Sequence, residues 1–148
     1  MHARTIIRKT IISLLKNSKP LNKIVGNNIF EARGYPIDNP PAILVYTPNE
    51  QVVDYSIGYP RSQTRQLTLV IEAYAKEHVD VDKTTDNLSL EIEELMATYP
   101  TLGNMVKDMN LNSTETRLSG DGDKPIAVAT LTYHITYRTK ENLPNKLI

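Results

Sequence analysis

Two spacings of hydrophobic positions divide the chain. From Thr64 to Lys76, Leu67, Leu69, Ile71, Ala73 and Ala75 alternate with Gln66, Thr68, Glu72, Tyr74 and Lys76. The segment "KPIAVATLTYHITYR", residues 124–138, does the same. Ala127, Ala129, Leu131, Tyr133, Ile135 and Tyr137 share one side, and Thr130, Thr132, His134, Thr136 and Arg138 take the other. Successive side chains of a strand point to opposite faces, so both segments predict strands buried on one face.

Helical spacing governs two other stretches. Between Ala3 and Asn17, Ala3, Ile6, Ile7, Ile11, Leu14 and Leu15 form one stripe, with Arg4, Arg8, Lys9, Ser13 and Lys16 around the rest of the cylinder. "NSKPLN" is expected to end this helix, since Asn17 and Ser18 suit a terminus and Pro20 disfavours helical geometry at Lys19. Between Asp80 and Tyr99, Val81, Leu88, Ile92, Leu95, Met96 and Tyr99 recur at helical intervals while Glu91, Glu93 and Glu94 face solvent. Asp80 or Asp82 is placed to cap its start, and Pro100 and Gly103 close it.

The remaining segments are shorter or weaker. "NNIFEARG" and "PPAILVYTP" read as brief strands between proline-rich turns. Over residues 49–64 the pattern loosens, and a projecting loop or hairpin is expected there. "NMVKDMNLNSTETRL" is a weaker strand, joined by the turn "SGDGDKP" to the last strand as an antiparallel hairpin. The order helix, strands, helix, strands predicts one α+β domain over residues 1–148: a single mixed or antiparallel sheet with two main helices on one face, and a short C-terminal tail from 140 to 148.

Composition narrows the function classes. A chain of 148 residues supports one core without metals or covalent staples. It has no cysteine, which excludes disulfides and thiolate metal sites. Lys plus Arg equals Asp plus Glu at 17 each, so the molecule has no net charge with which to collect nucleic acid or anionic lipid. No apolar run approaches the length of a membrane span, and "TIIRKTIISLLKN" carries Arg8 and Lys9 inside its apolar stretch.

Motifs for chemistry are missing. His2, His78 and His134 are dispersed and form no zinc-binding H-E-x-x-H pair; His134 reads as a polar-face strand residue. There is no phosphate loop and no Gly-x-Ser-x-Gly nucleophile elbow. Asp121 and Asp123 offer oxygen donors, but no twelve-residue calcium loop follows, and a turn built from Gly and Asp accounts for them. No catalytic, cofactor-binding or metal-binding residues are assigned. The candidates are contact residues: Tyr55, Tyr59, Arg61 and Arg65 in the loosely patterned loop, since Tyr and Arg are enriched at protein interfaces, together with Asp121 and Asp123.

Read in order, "IISLLKN", "PAILVYTP", "RQLTLVIEAYA", "DNLSLEIEELM", "YPTLGNMVKDM" and "ATLTYHITYRT" resemble the tail-terminator proteins of long-tailed bacteriophages, the minor tail protein U type of lambda-like phages. The resemblance spans nearly the whole chain. It implies a virion structural protein, assembled in the host cytoplasm, that forms a hexameric ring on the head-proximal end of the tail tube. Such a ring halts tube polymerisation and presents the head-joining surface. The implied partners are further copies of the chain, the tail tube protein and a head-completion or connector protein, with DNA only as passing cargo, no membrane and no cofactor. Two alternatives stand beside it: another neck component, such as a tail-completion or head-closure protein, or a small enzyme with an unrecognised acidic site around Asp121, Asp123 or His134.

Overall fold

The computed structural model of the chain describes residues 1–33, 41–76, 81–119 and 126–148. In chain order the elements are α1 (Ala3–Lys16), α2 (Lys19–Val25), β1 (Ile29–Glu31), β2 (Ala42–Tyr55), β3 (Ser62–Lys76), α3 (Val81–Thr98), β4 (Asp108–Ser119) and β5 (Ile126–Lys140). The five strands form one sheet in the order β1-β2-β3-β5-β4. β1 runs parallel to β2, and every other pairing is antiparallel. The architecture is thus α+β with a mixed sheet, as the periodicities predict.

The two alternating segments pair with each other at the centre. Leu67 lies opposite Ile135, Leu69 opposite Tyr133, Ile71 opposite Leu131 and Ala73 opposite Ala129. All eight side chains are buried. α1 packs against β1 and β2, and α3 against β3 and β5. The helices bring Ile7, Ile11, Leu15, Leu88, Ile92 and Met96 to the same core. Each buried Leu or Ile contributes roughly 1.5–3 kcal/mol relative to exposure, which makes this single face the main source of stability. On the other face Thr130, Thr132, His134, Thr136 and Arg138 stay partly exposed.

Two features depart from the sequence reading. The first helix ends at Lys16 with Asn17 as its C-cap, as expected, but Lys19 is helical despite Pro20. The chain starts a third helix, α2, in which Ser18 is the N-cap with extended backbone and its Oγ accepts from the Leu21 N–H at 3.4 Å. Proline is tolerated in a first helical turn because no intrahelical partner is available there for its missing N–H.

The second departure is β2, which is a strand of 14 residues rather than a brief one. It continues through Pro48 because β1 pairs only with Ile43–Val45, leaving β2 without a β1 partner beyond that point. Between Tyr46 and Asn49 the register against β3 shifts, with one extra residue on β2. This bulge reverses the phase of the strand. Ile43 and Val45 face the helices before it, but Glu50, paired with Leu67, faces them after it.

The C-terminal segment folds back on the domain. The Ala3 N–H donates to Pro144 O at 2.9 Å, and the Ile148 N–H donates to Arg138 O at 3.0 Å.

Candidate interaction site

β2 and β3 form a long hairpin, paired from Ala42 and Tyr74 out to Tyr55 and Gln63. At its end Gly58 takes a φ of 88°, a left-handed value that glycine adopts without steric cost. The turn is closed by the Ser56 N–H donating to Ser62 O at 2.9 Å and the Ser62 N–H donating to Ser56 Oγ at 2.8 Å. Its base is tied to the C-terminal segment by the Glu141 N–H donating to Arg61 O at 2.8 Å and the Arg61 N–H donating to Glu141 Oε1 at 3.1 Å.

The tip is apolar and uncovered. Ile57 is fully exposed, Tyr59 is 81% exposed, and Val52, Val53 and Tyr55 are also open to solvent. The Arg61 guanidinium lies 4.5 Å from the Tyr59 ring centroid and 5.7 Å from that of Tyr55. Its Nη2 also donates to the Tyr59 hydroxyl. Exposed cation–π contacts of this kind contribute roughly 0.5–1 kcal/mol each, enough to favour one arrangement of a flexible cation and two rings. The structure therefore brings Tyr55, Tyr59 and Arg61 together as one pre-arranged surface.

Arg65 stands apart from them. It lies on β3 in phase with Leu67 and Leu69, opposite Tyr137, and its side chain is only 11% exposed. Its Nη1 donates to Glu50 Oε2 at 3.0 Å, and its Nη2 to Gln63 Oε1 at 2.8 Å. Arg4 Nη1 reaches the same Glu50 oxygen at 2.9 Å, while the Tyr137 hydroxyl donates to Glu50 Oε1. One carboxylate thus joins the start of α1 to β2, β3 and β5. Burial first, then the hydrogen bond and charge of Glu50, push the Tyr137 hydroxyl well above the ordinary phenol range, so it stays a donor.

His2 completes the cluster. Its Nδ1 accepts from the Arg4 N–H at 3.2 Å and caps α1. Nε2 then bears the proton, so its 3.3 Å approach to Arg65 Nη1 sets donor against donor instead of making a bond. Burial first, followed by the Arg4 charge, holds the imidazole below its usual range despite the opposing pull of Glu50.

The other sequence candidates scatter. Asp121 and Asp123 lie outside the described residues. His134 sits on the polar sheet face between Thr68 and Asn110. Among the described residues no group of three or more His, Cys, Asp or Glu side chains is arranged to hold a metal ion. Glu93 and Glu94 are exposed on α3, with Glu91 half-buried. A buried acid that the sequence reading assigned no role is Glu72, whose two oxygens accept from the Tyr46 and Tyr74 hydroxyls. Burial, then Glu72, pushes the Tyr46 hydroxyl up to about 12. Both carboxylate oxygens are engaged, which suits a structural contact.

The chain matches the family model for phage minor tail protein U over residues 2–137. It belongs to that family. This tail protein is a structural component of the phage virion. No curated protein matches it. Among solved structures it is similar to a chain from the virion of a native gene transfer agent particle, at 12% sequence identity. The match covers 88% of this chain and 94% of that one, with a TM-score of 0.53, a likeness of fold. Among the described residues no helix is long and apolar enough to cross a membrane.

Proposed function

We propose that this tail protein ends the tail tube at its head-proximal end as a hexameric ring, stopping polymerisation and offering the surface to which the head is joined. The observation that carries this reading is the projecting β2–β3 hairpin, whose exposed Ile57, Tyr55, Tyr59 and Arg61 leave a pre-arranged contact surface unused by the single chain. Tyr and Arg are enriched among the residues that dominate interface energetics, and a run of exposed apolar side chains on one hairpin (Val52, Val53, Tyr55, Ile57 and Tyr59) is the kind of patch that marks an interaction surface. Its partners in this reading are copies of itself, the tube protein and a head-completion or connector protein.

The polar sheet face fits the passage of DNA. Thr130, Thr132 and Thr136 present uncharged hydroxyls along this face beside His134, and the cations Arg117 and Arg138 share it with the acids Asp108 and Glu115. A conduit rich in unbalanced cations would hold phosphates and slow their movement.

Imaging particles assembled with and without the gene product tests the proposal. Overlong tubes in its absence are expected of a terminator. Tubes of normal length that lack heads would instead assign the chain to head joining, and a channel wall made mainly of Lys and Arg would refute the conduit argument.

A further inference from the structure

A cleft lies between α3 and the β4 edge of the sheet, with a volume of about 280 Å³. Met96, Met109 and Tyr133 form its buried floor, while Ala97, Leu111 and Glu93 stand exposed around it. A cavity of about 150 Å³ lined by aliphatic side chains takes up benzene, so this one has room for a branched aliphatic group. Methionine repacks readily around an incoming side chain because it is unbranched and polarisable. Its chemistry is therefore an apolar floor beside a carboxylate.

The same hairpin tip carries the matching set: a fully exposed Ile57 and, four residues on, the Arg61 cation stacked on Tyr59. The tip cannot reach the cleft of its own chain. In the sheet, β5 separates β3 from β4. Ser62, at the base of the turn, pairs with Lys140, seven residues along β5 from Tyr133, or roughly 23 Å at strand rise. From there the turn projects away from the sheet. We propose that the tip of one copy docks in the α3–β4 cleft of the next, Ile57 entering between Met96 and Met109 and Arg61 pairing with Glu93.

Each chain then gives a tip and receives one, with two different surfaces in contact. Such a heterologous contact closes into a ring when its rotation divides a full turn. The inference rests on the ring reading above and specifies the surfaces that build it. A second copy is favoured over nucleic acid as the occupant because the Glu93 carboxylate would repel a phosphate.

The native chain has no cysteine, so engineered thiols are the only ones in the protein. Tails are assembled with a chain carrying both Ile57→Cys and Ala97→Cys and treated with a short bifunctional thiol cross-linker. A ladder of covalent oligomers rising to a closed ring is expected. Each single variant should give no cross-linked species, and a mixture of the two should give only a dimer. Rings on the tails without this ladder, or Ile57→Cys alone linking to itself, would overturn the contact while leaving the ring reading intact. Tails assembled with the native chain that carry no ring would overturn both.

A charge exchange gives an independent measurement. Arg61→Glu and Glu93→Arg, each shown by thermal melting to be folded, are expected to lower ring yield roughly tenfold singly, through like-charge contact, and to restore it together. A double variant no better than either single would overturn the pairing of Arg61 with Glu93.

Discussion

Arg61 and Arg65 stand four residues apart on one hairpin, yet they belong to different kinds of structure. Arg61 lies across two exposed tyrosines at the tip, and its contacts among the described residues stay within its own loop and Glu141. Arg65 is buried and held by Glu50 and Gln63 beneath the start of α1. The difference arises from where the strand begins. Once the chain enters the β3 ladder at Ser62, its alternation dictates direction, and Arg65 falls on the side of Leu67. A cation there must bring its own counterion, whereas a cation beyond the ladder is free for a partner.

The sharpest way to break this contrast is to remove the counterion. Glu50→Ala leaves Arg65 buried without its carboxylate and strips the Tyr137 hydroxyl of its acceptor. Deleting one member of a buried ion pair costs about 3–5 kcal/mol, and a loss of that size is expected in urea unfolding. A loss under about 1 kcal/mol would mean that water reaches the cluster and that it does not tie α1 to the sheet.

Exchanging the two arginines for alanine in parallel refines the comparison. Arg65→Ala is expected to cost about 2–3 kcal/mol, less than the Glu50 change because Glu50 keeps Arg4 and Tyr137. Arg61→Ala should cost no more than about 1 kcal/mol, the loss of exposed cation–π contacts. Equal melting temperatures for the two variants would erase the distinction between them.

Much of the fold was legible in the sequence. β3 and β5 announce themselves because both alternate strictly and bury one face, and α1 and α3 because their apolar stripes are continuous. Arg65 was also legible in principle, since it continues the Leu67, Leu69 and Ile71 phase; reading it with the loop discounted that signal. Glu50 was not. Extending the Ile43 and Val45 phase would place Glu50 on the polar face, and only the extra residue near Pro48 turns it toward the helices. A bulge is a property of pairing with a partner strand, and local periodicity carries no record of it. α2 was missed for a simpler reason. Asn17, Ser18 and Pro20 do mark the end of α1, but Ser18 also supplies a cap that turns the same proline into the start of α2.

The buried cluster should also respond to pH, through His2. The folded imidazole titrates below its ordinary value of 6.5, owing to burial and the Arg4 charge, with smaller contributions from Arg65 and the terminal amine and opposition from Glu50. Between the two values the unfolded chain binds the additional proton, so stability rises with pH across that window. The contribution is complete above about 6.5 and is lost as pH falls through the folded value. His2→Asn keeps an acceptor for the Arg4 N–H and should flatten this part of the profile in unfolding measured from pH 7.5 to 5. An unchanged slope would show that the proton is taken up elsewhere.

The smallest stability effect belongs to the tip, and there it is most informative. Ile57→Ser and Tyr59→Ser remove side chains that the single chain does not bury, so urea midpoints should move by no more than about 0.5 kcal/mol in stability. Assembly on the tail should nevertheless fail, because exposed aromatic and aliphatic anchors carry much of an interface's energy. Unchanged assembly by both variants would remove the tip from the interface. A large stability loss would show instead that the tip packs on its own domain. Stable monomers that cannot cap tubes would separate the two arginines by role: one residue maintains the fold, and the other, four positions earlier, acts only when a second molecule arrives.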